Sequence, residues 1–145
     1  MIKDLANSGA TPVLEKVLQF AAYRQKLIAH NIANMPVPDF RPMDVSTRDF
    51  QRTLAKAVEK RRAQTGGTHG ELEFDGSSEV QVTSNGRLSI TPKTASGNIL
   101  RHDRNNSDLE RMMQDLAENA LTYRATADLI RREHDLIKTA ISQRV

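Results

Sequence analysis

Apolar residues recur at alternating steps of four and three through the last third of the chain: Leu109, Met113, Leu116, Ala120, Tyr123, Ala127, Ile130, His134, Ile137 and Ile141, with His134 the polar exception. That spacing keeps them on one seam of an α-helix. Ser107 stands in front of the seam with Glu110 three residues on, the pairing of a capping box, and neither Gly nor Pro follows before Val145. The predicted helix, residues 107–145, is about 57 Å long at the α-helical rise, longer than a compact domain of this size is wide. Such an element points to assembly.

A second stripe lies at the other end. Leu14, Val17, Leu18, Ala21, Ile28 and Ile32 share one face of a helix predicted from Thr11 to about Asn34, with Gln25 the polar residue in the row. Pro12 suits its first turn, Glu15 lies near the positive end of its dipole, and Pro36 and Pro38 end it. Two stripes at opposite ends predict an antiparallel or staggered coiled pair.

Between Pro36 and Pro42 an extended chain is expected, then a shorter amphipathic helix from about Thr47 to Arg62 with Phe50, Leu54, Ala57 and Val58 on one side. Residues 63–106 are rich in Gly, Ser, Thr and Asn. Within them Glu79-Val80-Gln81-Val82 and Arg87-Leu88-Ser89-Ile90 alternate polar and apolar around Ser84-Asn85-Gly86, a hairpin signal. A lone hairpin is marginal in water, so this region is either flexible or ordered by neighbours. The expected fold is mainly α: long N- and C-terminal helices pairing as a coiled coil, a short third helix, and a flexible middle carrying a β-hairpin. Residues 1–62 form an N-terminal helical region, 63–106 a polar variable region and 107–145 the C-terminal helix, the terminal regions making one assembly domain.

Composition narrows the function. With 145 residues, 38% apolar, 4% aromatic and no Trp, the chain has material for a helix seam and little for a large core. A net charge of +3 and a pI near 9.4 permit acidic partners, but basic and acidic residues interleave, which weighs against nucleic acid. Lys60-Arg61-Arg62 reads as cations placed at a helix C-terminus. The absence of Cys removes disulfides, thiolate catalysis and Cys-based metal sites together. No apolar run approaches the ~20 residues a bilayer-spanning helix needs. Met1-Ile2-Lys3-Asp4 leads into polar residues, so work outside the cytoplasm implies export without a cleaved leader.

Chemistry is sparse. His30, His69, His102 and His134 are scattered without metal-ligand spacing, and the adjacent Glu133, His134 and Asp135 point about 100° apart on a helix. Glu71, Glu73 and Asp75 alternate in what reads as a solvated loop, and Asn105-Asn106-Ser107 serves helix capping as readily as glycosylation. No phosphate-binding loop, nucleophile elbow or zinc-protease run occurs. Neither an active site nor a cofactor is expected.

The stretch Arg24-Gln25-Lys26-Leu27-Ile28-Ala29-His30-Asn31-Ile32-Ala33-Asn34 resembles the N-terminal signature of the bacterial flagellar rod and hook proteins, which reads Asn-Ile-Ala-Asn, two variable residues, then Thr-Pro-Gly-Tyr. Asn105-Asn106-Ser107-Asp108-Leu109-Glu110, a following Met and Leu116-Ala117-Glu118-Asn119-Ala120-Leu121-Thr122-Tyr123 are similar to that family's C-terminal motif. The Arg-Gln opening, the short length and the segment from Asp44 to Phe50 resemble its basal-body rod members, those of the proximal rod above all. Two departures stand out. Val37-Pro38-Asp39-Phe40 replaces Thr-Pro-Gly-Tyr, which puts a positive-φ turn at position 39 in doubt, and Ser107 replaces the usual Val.

The resemblance implies a structural subunit of the flagellar rod, polymerising through its terminal helices into a torque-transmitting shaft in the periplasm. It implies flagellar type III export, with other rod proteins, a rod-base adaptor and a membrane ring as partners. The expected interface is Leu14, Val17, Leu18, Ala21, Ile28, Asn31, Ile32 and Asn34 with Leu109, Met113, Leu116, Ala120, Tyr123, Ala127, Ile130, Ile137 and Ile141. Asn31 and Asn34 close the first helix beside an unpaired stretch, where amides cap orphan carbonyls or bond a neighbouring subunit. The same stripes also suit a cytoplasmic coiled-coil adaptor or chaperone that binds a partner helix.

Overall fold

The structure, a computed structural model, describes residues 9–67, 69–94 and 105–142. Among the described residues, three helices and four short strands follow in the order α1 (Thr11–Asn34), β1 (Met43–Asp44), α2 (Thr47–Thr65), β2 (Val80–Val82), β3 (Leu88–Ile90), β4 (Lys93–Thr94) and α3 (Asn105–Ser142). His102, the stretch 95–104, residues 143–145 and the Ser107 side chain lie outside the described residues. No described helix is long and apolar enough to cross a membrane.

Helix α1 opens with Pro12 in its first turn and no side-chain cap at Ala10. It closes where the Met35 N–H turns back to Ile32 O (3.4 Å), and the Asn34 amide donates to the His30 carbonyl one turn earlier (2.8 Å). Beyond it the chain is not extended as expected. Val37 N–H bonds Asn34 O (3.0 Å) and Phe40 N–H bonds Val37 O (3.2 Å), so prolines 36 and 38 sit in successive tight turns. Asp39 takes φ 60°, so the left-handed turn survives the loss of glycine because a short polar side chain tolerates that region.

Helix α2 runs three residues past the expected Arg62. Ser46 caps its start by accepting the Asp49 N–H (3.2 Å), and Gly66, at φ 70°, ends it by returning its N–H to Arg62 O (2.9 Å). The hairpin forms as the alternation predicts, with Val80 opposite Ile90 and Val82 opposite Leu88. Neighbours order it. The Gln19 carboxamide oxygen accepts the Leu88 N–H (2.9 Å), and the buried Lys16 ammonium donates to the Gly86 carbonyl. An unpredicted ladder joins β1 to β4 antiparallel, Met43 against Thr94, so the segment between them leaves and returns at one place beside α1.

The core lies at this corner: Phe20 and Leu27 of α1 with Val45, Phe50 and Leu54, and Val80 of the hairpin. Phe20 and Phe50 stack nearly parallel with centroids 4.0 Å apart. Sequence periodicity missed Phe20 and Leu27 because α1 is covered on two faces: its stripe faces α3, and the adjacent face carries the core.

Helix α3 packs along α1. Arg24 lies 3.6 Å from Asp115, Asn119 bonds Ala21, and the Glu133 side chain lies beside Gly9, so the two helices run antiparallel. The helix begins at Asn105, which places Ser107 inside the first turn and not at the N-cap.

Candidate assembly interface

Asn31 is 5% exposed and holds both polar groups of one peptide residue, donating to Met43 O (2.6 Å) and accepting the Met43 N–H (3.1 Å). An amide matches a backbone donor and acceptor at once, as a neighbouring strand does. The first Asn of the signature therefore folds the turn segment back and fixes β1 within its own chain. Asn34, in contrast, is half-buried and bonds back within α1 to the His30 carbonyl, with its amide also 3.2 Å from the His30 ring. Phe40 meets that ring edge-on at 5.8 Å.

On α3 the Asn of the second motif has a matching role. Asn119, 5% exposed, donates to the Ala21 carbonyl (2.9 Å) and to Gln25 Oε1 (2.7 Å). Ala21 has no side chain long enough to keep the helices apart, so the amide reaches the α1 backbone. Arg24 lies between two carboxylates, 3.4 Å from Asp44 and 3.6 Å from Asp115, tying β1 and α3 to one point on α1.

The seam of α3 is rotated from the expected one. Asn119 and Thr126 are its buried residues, where periodicity favoured Ala120 and Ala127, and both of those are half-buried. Leu109, Leu116, Ile130 and Ile137 are half-buried as well, whereas Met113, Tyr123 and Ile141 are exposed. His134 is exposed too, and Glu133 takes the position facing α1. The cause is polar: seating Asn119 against Ala21 turns the helix by part of one residue. On α1, Ala21 and Ile28 are buried, and Leu14, Val17, Leu18 and Ile32 are half-buried.

Apolar surface of α3 outside either seam is left uncovered. Leu121, Leu129 and Leu136 are exposed, and with Ala125 and Ala140 they form a second stripe that faces away from the α1 seam. Exposed apolar rows of this kind mark interaction surfaces.

Around α2 the charges are arranged for the fold. Arg61 is buried and donates to Gly9 O (2.9 Å) and His69 O (3.3 Å), contacts that the reading of it as a cation placed at a helix C-terminus did not include. Lys60 pairs with Glu73 (2.6 Å) and Asp75 (3.8 Å), so that acidic loop is tied to the helix. Glu79 accepts the Ser46 N–H (2.8 Å) and lies 3.1 Å from Lys93. The Ser46 hydrogen bond first, and Lys93 second, hold its carboxyl below the usual range. Among the described residues no three His, Cys, Asp or Glu side chains are grouped to hold a metal.

The fold and this surface define a class of protein: a subunit whose long terminal helices pair antiparallel around a small folded corner and leave an apolar row outward. Comparison with known proteins is specific. The chain is similar to the flagellar basal body rod protein FlgB of Yersinia enterocolitica, 31% identical over 120 residues that cover 79% of this chain and 80% of that protein. It is also similar to FlgB of Bacillus subtilis, 27% over 136 residues (93% and 95%), and of Salmonella typhimurium, 28% over 109 residues (75% and 75%). The chain belongs to the FlgB family of flagellar basal body rod proteins. No protein-family model matches it, and no solved structure does.

Proposed function

We propose that the chain is a structural, non-catalytic subunit of the flagellar basal body rod, carried by its similarity to FlgB proteins over most of its length. The paired helices with an uncovered apolar row support a subunit that becomes fully covered only among neighbours. Heterologous contacts repeated around an axis build an open helical shaft able to carry torque. Other rod proteins, a rod-base adaptor and a membrane ring are its partners, and it reaches the periplasm through the flagellar type III export apparatus. The adaptor alternative draws no support from these relatives.

In-frame deletion of the gene is expected to abolish swimming, with the wild-type chain restoring it and an epitope-tagged copy appearing in purified basal bodies. A motile deletion strain, or a tagged chain absent from basal bodies, would sink this reading.

A further inference from the structure

Asn85 precedes Gly86 at the tip of the β2–β3 hairpin, and no other asparagine of the chain is followed by glycine. Residues 83–87 are all exposed, and Gly86, at φ 78°, has open space where a Cβ would stand. An asparagine carries an electrophile, its carboxamide carbon Cγ, close to a nucleophile, the backbone nitrogen of the next residue. A Cβ on that next residue crowds the approach, and glycine has none.

The tip also holds this side chain over its own backbone. Asn85 Oδ1 accepts the Arg87 N–H two residues on (3.3 Å), a turn that folds the carboxamide back past Gly86 N. The Thr83 hydroxyl, which also reaches the Arg87 carbonyl (2.9 Å), donates to the same Oδ1. Both donors lie on the oxygen that gathers negative charge when Cγ is attacked, as in sites that stabilise a tetrahedral intermediate. One contact opposes the reaction: Gly86 N–H is bonded to Thr83 O (2.9 Å). Breaking it takes local opening of an exposed turn and moves no core residue.

We propose that Asn85 is a self-modification site, where Gly86 N displaces the side-chain amide and water completes conversion to aspartate or isoaspartate. As Gly86 N bonds Cγ it loses its proton to solvent, the Cγ–Nδ2 bond breaks, and ammonia leaves behind a closed succinimide. Water then opens the ring. Attack at Cγ gives aspartate with the main chain unchanged. Attack at the main-chain carbonyl gives isoaspartate, in which the backbone runs through the side chain and is longer by one carbon.

The two products act differently on the fold. Aspartate keeps an oxygen for the Arg87 N–H. Isoaspartate inserts its extra atom between Thr83 and Arg87, whose ladder bond (2.8 Å) closes the tip. The same tip is latched to α1, Lys16 holding the Gly86 carbonyl and Gln19 the Leu88 N–H (2.9 Å). Lys16 is 9% exposed, and burial pushes its ammonium below the usual range, so a displaced Gly86 carbonyl leaves a desolvated cation without that acceptor. Isoaspartate at 85 therefore loosens the hairpin from α1.

The test keeps the purified, folded chain in mildly alkaline buffer and follows it over weeks by tryptic peptide mass spectrometry. Peptide 63–87 holds Asn85 as its one asparagine and should exchange NH2 for OH about tenfold faster than peptides carrying other asparagines. Fragment ions place isoaspartate at 85, apart from the Asp75-Gly76 pair in the same peptide. Asn85→Gln, with a side chain too long for the five-membered ring, stays unconverted. Amide exchange at Leu88 should run about tenfold faster in the isoaspartyl fraction, isolated by ion exchange, than in fresh chain, and near the fresh rate in Asn85→Asp. An Asn85 that converts no faster than the other asparagines would overturn the proposal, as would equal Leu88 protection in the isoaspartyl and fresh chains. No arm depends on assembly, so the rod-subunit reading is untouched by any of these results.

Discussion

Along one side of α1, Phe20 and Leu27 are sealed among Val45, Phe50, Leu54 and Val80. Along the other, α3 meets the helix through Ala21 and the buried Asn119, and keeps Leu121, Leu129 and Leu136 in solvent. One helix thus serves a finished core and an unfinished pair. The difference is one of side-chain chemistry: aromatic stacking buries large area at the first face, whereas hydrogen bonding sets the register at the second and leaves apolar area outside. On the rod-subunit reading proposed above, stability of the isolated chain rests on the first region and assembly on the second.

The largest expected loss of stability is at the core. Phe50→Ala removes a stacked ring at 3% exposure and is expected to cost about 3–5 kcal/mol, enough to unfold a marginal chain of this size. Urea denaturation followed by circular dichroism measures it. A loss below about 1 kcal/mol would show that the corner does not carry the stability.

Next comes the clasp that attaches the corner to α1. Asn31→Ala leaves the Met43 N–H and carbonyl without their partner, with an expected loss of about 2–3 kcal/mol. Amide exchange at Met43 should accelerate in the same variant. If exchange there is unchanged, the Asn-Ile-Ala-Asn signature is not holding β1, and an intersubunit role for Asn31 regains ground.

How much of this was legible in the sequence depends on which force set each feature. The helices and the hairpin were readable, because the steps at Leu109, Leu116, Tyr123 and Ile130 and the alternation around Ser84-Asn85-Gly86 are local patterns. The end of α2 had a local signal too, in Gly66 one residue past the helix, as did its start in the Ser46 and Asp49 pairing. The rotation of α3 had none. It follows from Asn119 finding the Ala21 carbonyl ninety-eight residues away, a tertiary hydrogen bond that overrides apolar periodicity. The same holds for Phe20 and Leu27, whose burial depends on the hairpin arriving at that face, and for β1 and β4, too short to show a period. The two signature asparagines were found by resemblance, but their work within the chain appears only in three dimensions.

The carboxylate of Glu79 joins the hairpin side to the N-terminus of α2 through Ser46, and its folded pKa lies below the unfolded value. Its contribution is therefore full above the ordinary carboxylate range and is lost as pH falls through the lowered folded value. Glu79→Gln should reduce stability at neutral pH by about 1 kcal/mol and flatten the acid limb of the stability curve. An acid limb as steep as that of wild type would place the acid sensitivity elsewhere.

The smallest effect on the isolated chain is the most telling. Leu121 is 66% exposed, so Leu121→Asp removes no core contact and should change unfolding free energy by no more than about 0.5 kcal/mol. On the assembly reading, that side chain lies in a row that a neighbour covers, where an unpaired carboxylate is costly to bury. Swimming should then be lost in a chain whose urea curve matches wild type. Leu116→Asp, on the half-buried seam, should instead lower both. If Leu121→Asp swims normally, the outward row of α3 is not an interface, and the polar seam around Asn119 must be explained by the monomer alone.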